Sequence, residues 1–210
     1  MKTNITPNFR GWNALILHRK HVGECKLAQQ LSRLGIKSEC RGINAVMNFP
    51  QVDVIFVDVD EGIDEMFPWL AGDATIPLIG LLGSEAPGRL AWALSQGISS
   101  HILKPISHSG VFSALTIAQH NYQYRLNNLQ EIANLQQRIK LRPVVLRCIL
   151  QLMDLANIDD SRAFMAMRAI AMQKRISIEE LCVSYVDDSA SLMQLYQSHL
   201  RGDLYSRVLK

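Results

Sequence analysis

Residues 52–59 read Val52-Asp53-Val54-Ile55-Phe56-Val57-Asp58-Val59, and this stretch decides the fold. A strand with one wet face would alternate apolar and polar side chains, whereas Val54 to Val57 is unbroken and mostly β-branched. Such a run belongs to a strand covered on both faces, as in a parallel sheet between helices. Asp53 and Asp58 bracket it, five apart, so one carboxylate stands at each end of the strand.

Working outward, strand-like and helix-like segments alternate. Ala14-Leu15-Ile16-Leu17 is a short apolar run of buried-strand type. Val22 to Leu34 has helical periodicity and stops at Gly35, a natural C-cap. Ile76 to Leu82 repeats the strand character after Pro and Gly punctuation. Leu90 to Gln96 reads as a helix ending at Gly97, and Ser100 to Leu103 as a last short strand before Lys104-Pro105. Strands alternating with helices imply right-handed crossovers and a covered parallel sheet. The expected class is an α/β flavodoxin-like domain over residues 1–108. Its ligands belong at the carboxyl ends of the strands, where Asp58 falls.

Ser109 to Arg142 contains no Pro and, after Gly110, no Gly. A continuous helix there would run roughly 50 Å. Leu115, Tyr122, Leu129 and Gln136 fall seven apart, as do Ala118, Arg125, Ile132 and Ile139, which makes a heptad with imperfect seams at Arg125 and Gln136. A helix of that length needs more than a small domain to bury its stripe. Residues 109–142 are therefore expected to form a coiled-coil helix in a homodimer, the alternative being a helix lying back on its own sheet. Pro143 then restarts the chain at a favoured first-turn position. Val144 to Met153 is expected to form one helix, and Asp159-Asp160-Ser161 to cap a second that ends near Arg175. Ser177 and Glu180 make a capping box for a third, through Leu181. These make a small three-helix bundle, 143–186, followed by a helical extension, 187–210, in which Leu192 to Leu200 is helical and Gly202 begins a frayed end.

Composition excludes more than it selects. The 210 residues are 48% hydrophobic and 20% charged, ordinary for a globular chain. A net charge of +3 does not by itself argue for nucleic acid. Between Asn121 and Leu150, however, Arg125, Arg138, Lys140, Arg142 and Arg147 face only Glu131. That local excess marks either a polyanion site or a solvated helix face. Cys25, Cys40, Cys148 and Cys182 show no CxxC pair and no metal-ligand spacing with the histidines, and are expected to be reduced and buried, as in a cytosol. No window approaches the roughly 20 apolar residues of a spanning helix, and Met1 to Asn13 lacks a signal-peptide core. The expected location is cytoplasmic, with no membrane partner. No nucleophile–base pair, phosphate loop or metal cluster stands out, so no enzymatic activity, cofactor or metal is expected.

With Gly35, Asp53, Asp58, Gly97, Lys104 and Pro105 in place, residues 13–120 resemble the receiver domains of response regulators. The resemblance implies a phosphoacceptor at Asp58 and a phosphoryl contact at Lys104. It also places His18 and Arg19 where receivers carry the two acids that hold Mg²⁺, a cation that takes hard oxygen ligands and is repelled by a guanidinium. The family's hydroxyl position aligns with Leu82 and its switch aromatic with His101. Asp58 is thus a strand-end carboxylate paired with Arg19 or Lys104, a phosphorylation site, or the seat of another ligand or modification. The first of these makes the domain a pseudo-receiver.

Residues 142–182 resemble the ANTAR module of AmiR/NasR-type transcription antiterminators. The match rests on Arg142, Val145, Leu152, Met153, Ala163, Phe164, Met167, Arg168, Ala171, Met172, Ile178 and Leu181 and on the intervals between them. The family's Ala-Lys-Gly aligns with Cys148-Ile149-Leu150, so an expected basic contact is replaced by Ile149. Independently of the family, the second helix gathers Ala163, Phe164, Met167, Ile170 and Ala171 on one side, expected in the core. Arg168 and Arg175, seven apart, flank that side, with Met165 and Met172 toward the outside. Paired cations beside soft apolar groups suit RNA phosphates and unpaired loop bases. In the alternative, the methionines pack on the last helix. Arg142 and Arg147 would extend the patch, while Lys174 is expected to snorkel from the core side.

The resemblance implies a dimeric regulator that binds hairpins in a leader mRNA and prevents a terminator from forming, so that RNA polymerase reads on. It further implies control by a ligand-sensing negative regulator of the periplasmic-binding-protein fold. Alternatives are a phosphorylation-dependent response regulator, a dimeric protein-binding adaptor, and a DNA-binding regulator, for which no convincing helix-turn-helix spacing is present.

Overall fold

The computed structural model describes residues 7–17, 23–42, 51–60, 62, 67–107 and 109–208. They form two compact units, Met1–Asn128 and Leu129–Lys210.

The first unit is built on a parallel sheet of five strands: β1 (Asn13–Leu17), β2 (Lys37–Arg41), β3 (Val54–Asp58), β4 (Leu78–Leu82) and β5 (Ser100–Leu103), in the order β2-β1-β3-β4-β5. This is the expected flavodoxin-like layout. The strand reading of 52–59 holds because β3 is central and buried along its whole length. Helices α1 (Gly23–Arg33) and α2 (Pro87–Ser95) and the start of α3 (Val111–Ala156) pack beside the sheet. Leu27 and Leu31 of α1 and Val111, Ala114, Leu115 and Ala118 of α3 share a core with Ile16, Phe56, Ile79 and Ile102. The described residues between β3 and β4 carry no helix. There Phe67 and Ala74 are buried against Leu17, Ile55 and Val57.

One strand was not foreseen. β2 is Lys37-Ser38-Glu39-Cys40-Arg41, largely exposed and without an apolar run. It pairs with β1 in register from Asn13↔Lys37 to Leu17↔Arg41, so main-chain hydrogen bonding creates it. Its charged side chains suit a sheet edge.

The stripe of α3 has two fates. Leu115 and Ala118 are buried in the core of the first unit. One heptad on, the Tyr122 hydroxyl donates to the carbonyl of Thr75, and the Arg125 guanidinium donates to those of Gly72 and Ala74. The imperfect seam at Arg125 is therefore a tie to the loop before β4. Beyond it, Leu129, Ile132, Ile139, Leu146 and Leu150 are between 48% and 60% exposed. The helix also does not restart at Pro143, contrary to expectation, but runs through it as a single 46-residue element. Pro143 lies on an exposed side, while Val144, Val145 and Cys148 just beyond it pack into the second unit. That burial outweighs the lost backbone bond.

The second unit packs the end of α3 with α4 (Asp160–Lys174), α5 (Ile178–Tyr185) and α6 (Ser189–Val208). The caps are those expected. Asp159 accepts from the Arg162 N–H at 2.7 Å. Ser177 and Glu180 exchange both bonds of a capping box. The helix after 187 runs longer than expected, through Gly202 to Val208, and adds Leu192 to the same core. Among the described cysteines, Cys148 and Cys182 are buried as expected. Cys40 is exposed on β2. No described helix is long and apolar enough to cross a membrane.

Replacing Pro143 with Ala should raise the stability of the second unit by about 1–3 kcal/mol, since it restores a backbone donor within an intact helix. Urea unfolding followed by far-UV circular dichroism measures the change.

Candidate functional site

In the first unit, functional side chains meet at the carboxyl ends of β3, β4 and β5. Asp58 ends β3 beside Leu81 of β4, and β3 adjoins β1 where the strand order reverses, the place at which such sheets hold ligands. Asp58 is 2% exposed. Lys104, just past β5, reaches back with its Nζ 2.6 Å from Asp58 Oδ1 and 3.0 Å from Asp60 Oδ2. The pairing of Asp58 with Lys104 is thus present. His18 and Arg19, the other two expected members of the site, lie outside the described residues. Leu82 is buried at the end of β4 and His101 is exposed on β5.

Asp60 was not singled out in the sequence, where it is one more acid in a loop. In the fold its Oδ2 accepts from the Gly83 N–H at 2.7 Å, and its own N–H donates to Asp58 Oδ1 at 3.1 Å. Burial would raise its pKa, but the hydrogen bonds from Lys104 and Gly83 prevail and hold it below the ordinary carboxylate value. Burial would likewise lower that of Lys104, yet its bonds to Asp58 and Asp60 raise it. The described residues offer no group of three His, Cys, Asp or Glu side chains to a metal ion. The two carboxylates that are present share an ammonium, which competes with a cation for the same oxygens.

The family described as AmiR, N-terminal, matches residues 12–119, just over half of the chain. The chain belongs to this family. Among solved structures, it is similar to the signal receiver domain of an HD domain-containing protein from Pseudomonas fluorescens Pf-5. The identity is 20% over 58% of this chain and 97% of that one, with a TM-score of 0.42. It is also similar to a CheY-like response regulator from Mesorhizobium loti (12% identity, 51% and 98% covered, TM-score 0.40). A response regulator from Thermotoga maritima gives 16% identity, 51% and 96% covered, and a TM-score of 0.39. No curated protein sequence matches the chain.

The AmiR N-terminal domain accounts for the first unit, and the remaining candidate residues lie in the second. Two of the five bases between Asn121 and Leu150 are occupied. Arg125 is tied to backbone carbonyls in the first unit, and Arg138 Nε lies 3.1 Å from Glu179 Oε1 of α5. Lys140, Arg142 and Arg147 are exposed. Ile149 is buried in the bundle core and is a packing position.

On α4, Ala163, Met167, Ile170 and Ala171 are buried as expected, but Phe164 is not. It lies at the flank of that stripe and is 42% exposed. Met165 and Met172 are 67% and 70% exposed, so they do not pack on the last helix. Arg168 is exposed between them in the helical order. Arg175 is exposed too, but it is the C-cap residue with a left-handed backbone (φ 57). Its side chain therefore leaves in a direction that the seven-residue spacing from Arg168 does not give. Lys174 is exposed, and its Nζ donates to the Tyr185 hydroxyl at 3.3 Å. The outer face of α4 thus presents an aromatic ring, two thioethers and a guanidinium.

Lys104→Met should destabilise the first unit by about 3 kcal/mol near neutral pH, because a buried carboxylate loses its ammonium. Asp60, with a lowered pKa, contributes stability above its ordinary value that is lost as acid takes the pH through the folded one. Lys104, with a raised pKa, contributes below its ordinary value and loses that contribution as alkali passes the folded one. Both arms should flatten in the variant when melting is followed across pH by the fluorescence of Trp12, Trp69 and Trp92, which all lie in the first unit.

Proposed function

We propose that this AmiR-family chain is an RNA-binding antitermination regulator. Residues 143–186 act as an ANTAR domain that holds hairpins of a leader mRNA, and the first unit is a phosphorylation-independent pseudo-receiver. The observation that carries the RNA reading is the outer face of α4, where Phe164, Met165 and Met172 are exposed beside Arg168. An exposed ring and two thioethers cost free energy in water unless a flat apolar partner covers them, and unpaired bases are such partners. Arg168 and Arg175, with Arg142 and Arg147 on α3, supply the charge for phosphates.

The apolar stripe from Leu129 to Leu150 is covered by a second copy of the chain. Its alternating steps of three and four residues, Leu129-Ile132-Gln136-Ile139-Pro143-Leu146-Leu150, suit the seam of a two-stranded coiled coil. A dimer presents two α4 faces, so two hairpin loops bind with a gain in effective concentration. Read-through by RNA polymerase follows because the held hairpins exclude the terminator. Control fits a ligand-sensing negative regulator of the periplasmic-binding-protein fold, which sequesters the dimer, better than a kinase. By resemblance His18 and Arg19 stand in place of the metal-binding acids, and without the cation the charge on a transferring phosphoryl group is poorly neutralised. The second reading, a dimeric adaptor without RNA binding, keeps the seam and gives α4 a protein partner.

The test is binding of the purified protein to the leader RNA of its own operon, followed by fluorescence anisotropy across a salt series, with a loop-scrambled RNA and duplex DNA as controls. Loop-dependent binding is expected. Phe164→Ala should weaken it roughly 5- to 100-fold, the worth of one stacked base. Arg168→Ala with Arg175→Ala should reduce the salt slope by about 2. Equal or absent binding to all three ligands overturns the RNA reading in favour of the adaptor. Incorporation of label at Asp58 from acetyl phosphate and Mg²⁺ overturns the phosphorylation-independent one.

A further inference from the structure

The loop after β3 turns back over the strand ends. Asp60 N–H is held by Asp58 Oδ1, and this directs the Asp60 carboxylate toward the start of the loop after β4. Two donors from separate elements converge on one oxygen: the Gly83 N–H at 2.7 Å and the Lys104 ammonium at 3.0 Å. The fit is close. A Cβ at position 83 would stand 2.6 Å from Asp60 Oδ2, so only glycine lets the carboxylate approach the backbone this far. A main-chain N–H and a lysine ammonium converging on one oxygen make a donor pair that holds a small oxyanion.

We propose that Gly83 and Lys104 form an oxyanion site whose resident ligand is the chain's own Asp60 carboxylate, a tethered stand-in that keeps the first unit in its anion-filled state. The inference deepens the phosphorylation-independent reading and rests on it. Its chemistry differs from an unused switch, for the site is occupied rather than idle. The tether presents the carboxylate at an effective concentration in the millimolar range or above, so free phosphate does not displace it. The ligand class the site takes once Asp60 is removed is a small tetrahedral oxyanion such as inorganic phosphate.

The experiment compares the full-length protein with Asp60→Ala and with Asp60→Ala/Lys104→Ala, melted in chloride and in phosphate at matched ionic strength and followed by tryptophan fluorescence. Asp60→Ala is expected to melt lower than the native chain in chloride and to gain roughly 4 °C or more in phosphate. The native chain and the double variant should show no such gain. A phosphate response equal in all three, or absent from a folded Asp60→Ala, overturns the proposal. Should Asp60→Ala fail to fold, the native chain decides. The Gly83 amide proton in ¹⁵N-labelled protein is expected to shift through an acid titration that lies below the ordinary aspartate range. An amide that does not follow that titration overturns the proposal. Label at Asp58 of the native chain would instead overturn the underlying reading, and the two failures are read from different variants.

Discussion

The apolar stripe of α3 is the constraint on which the molecule is built. A helix of 46 residues cannot leave such a stripe bare along its length without a cost in water, and its two ends find different cover. Near its start, Leu115 and Ala118 complete the core over the sheet. Then the polar members Tyr122 and Arg125 bind backbone carbonyls of the loop before β4, which satisfies groups that a loop would otherwise leave to solvent. From Cys148 to Leu152 the helix enters the core of the second unit. Between these, Leu129, Ile132, Ile139 and Leu146 stay half exposed or more in the single chain.

At the strand ends, electrostatics takes the place of hydrophobic burial. A carboxylate as enclosed as Asp58 is tolerable only with a counter-charge nearby, and Lys104 supplies one to Asp58 and Asp60 together. One ammonium thus serves two carboxylates, one at the end of β3 and one in the loop after it. Family membership over residues 12–119 places this cluster inside an AmiR N-terminal domain.

The positive charge of the chain has a similar history. Read along the sequence, the bases from Arg125 to Arg147 look like one patch. In the fold, Arg125 and Arg138 are spent on a loop and on Glu179, and the outer face of α4 holds more apolar surface than its periodicity implied. The balance there shifts from charge toward stacking, because Phe164 sits just beyond the edge of the buried stripe.

Much of this was legible in the sequence, where the determinants are local. The central strand follows from an unbroken β-branched run, the helix ends from Gly35, Gly97, Asp159 and the Ser177–Glu180 box, and the position of Asp58 from its place at the end of that run. Each depends on neighbours within a few residues, which the sequence states directly. Four features were decided by tertiary structure alone. β2 is polar and exists because β1 offers it main-chain partners. Pro143 remains inside a helix because residues just beyond it are buried. Phe164 faces outward because the bundle covers a narrower stripe than the helix provides. Asp60 becomes part of the site because Gly83 and Lys104, far away in sequence, are brought to one point by the order of the strands. Such choices are settled by which surfaces meet, and no local spacing carries that information.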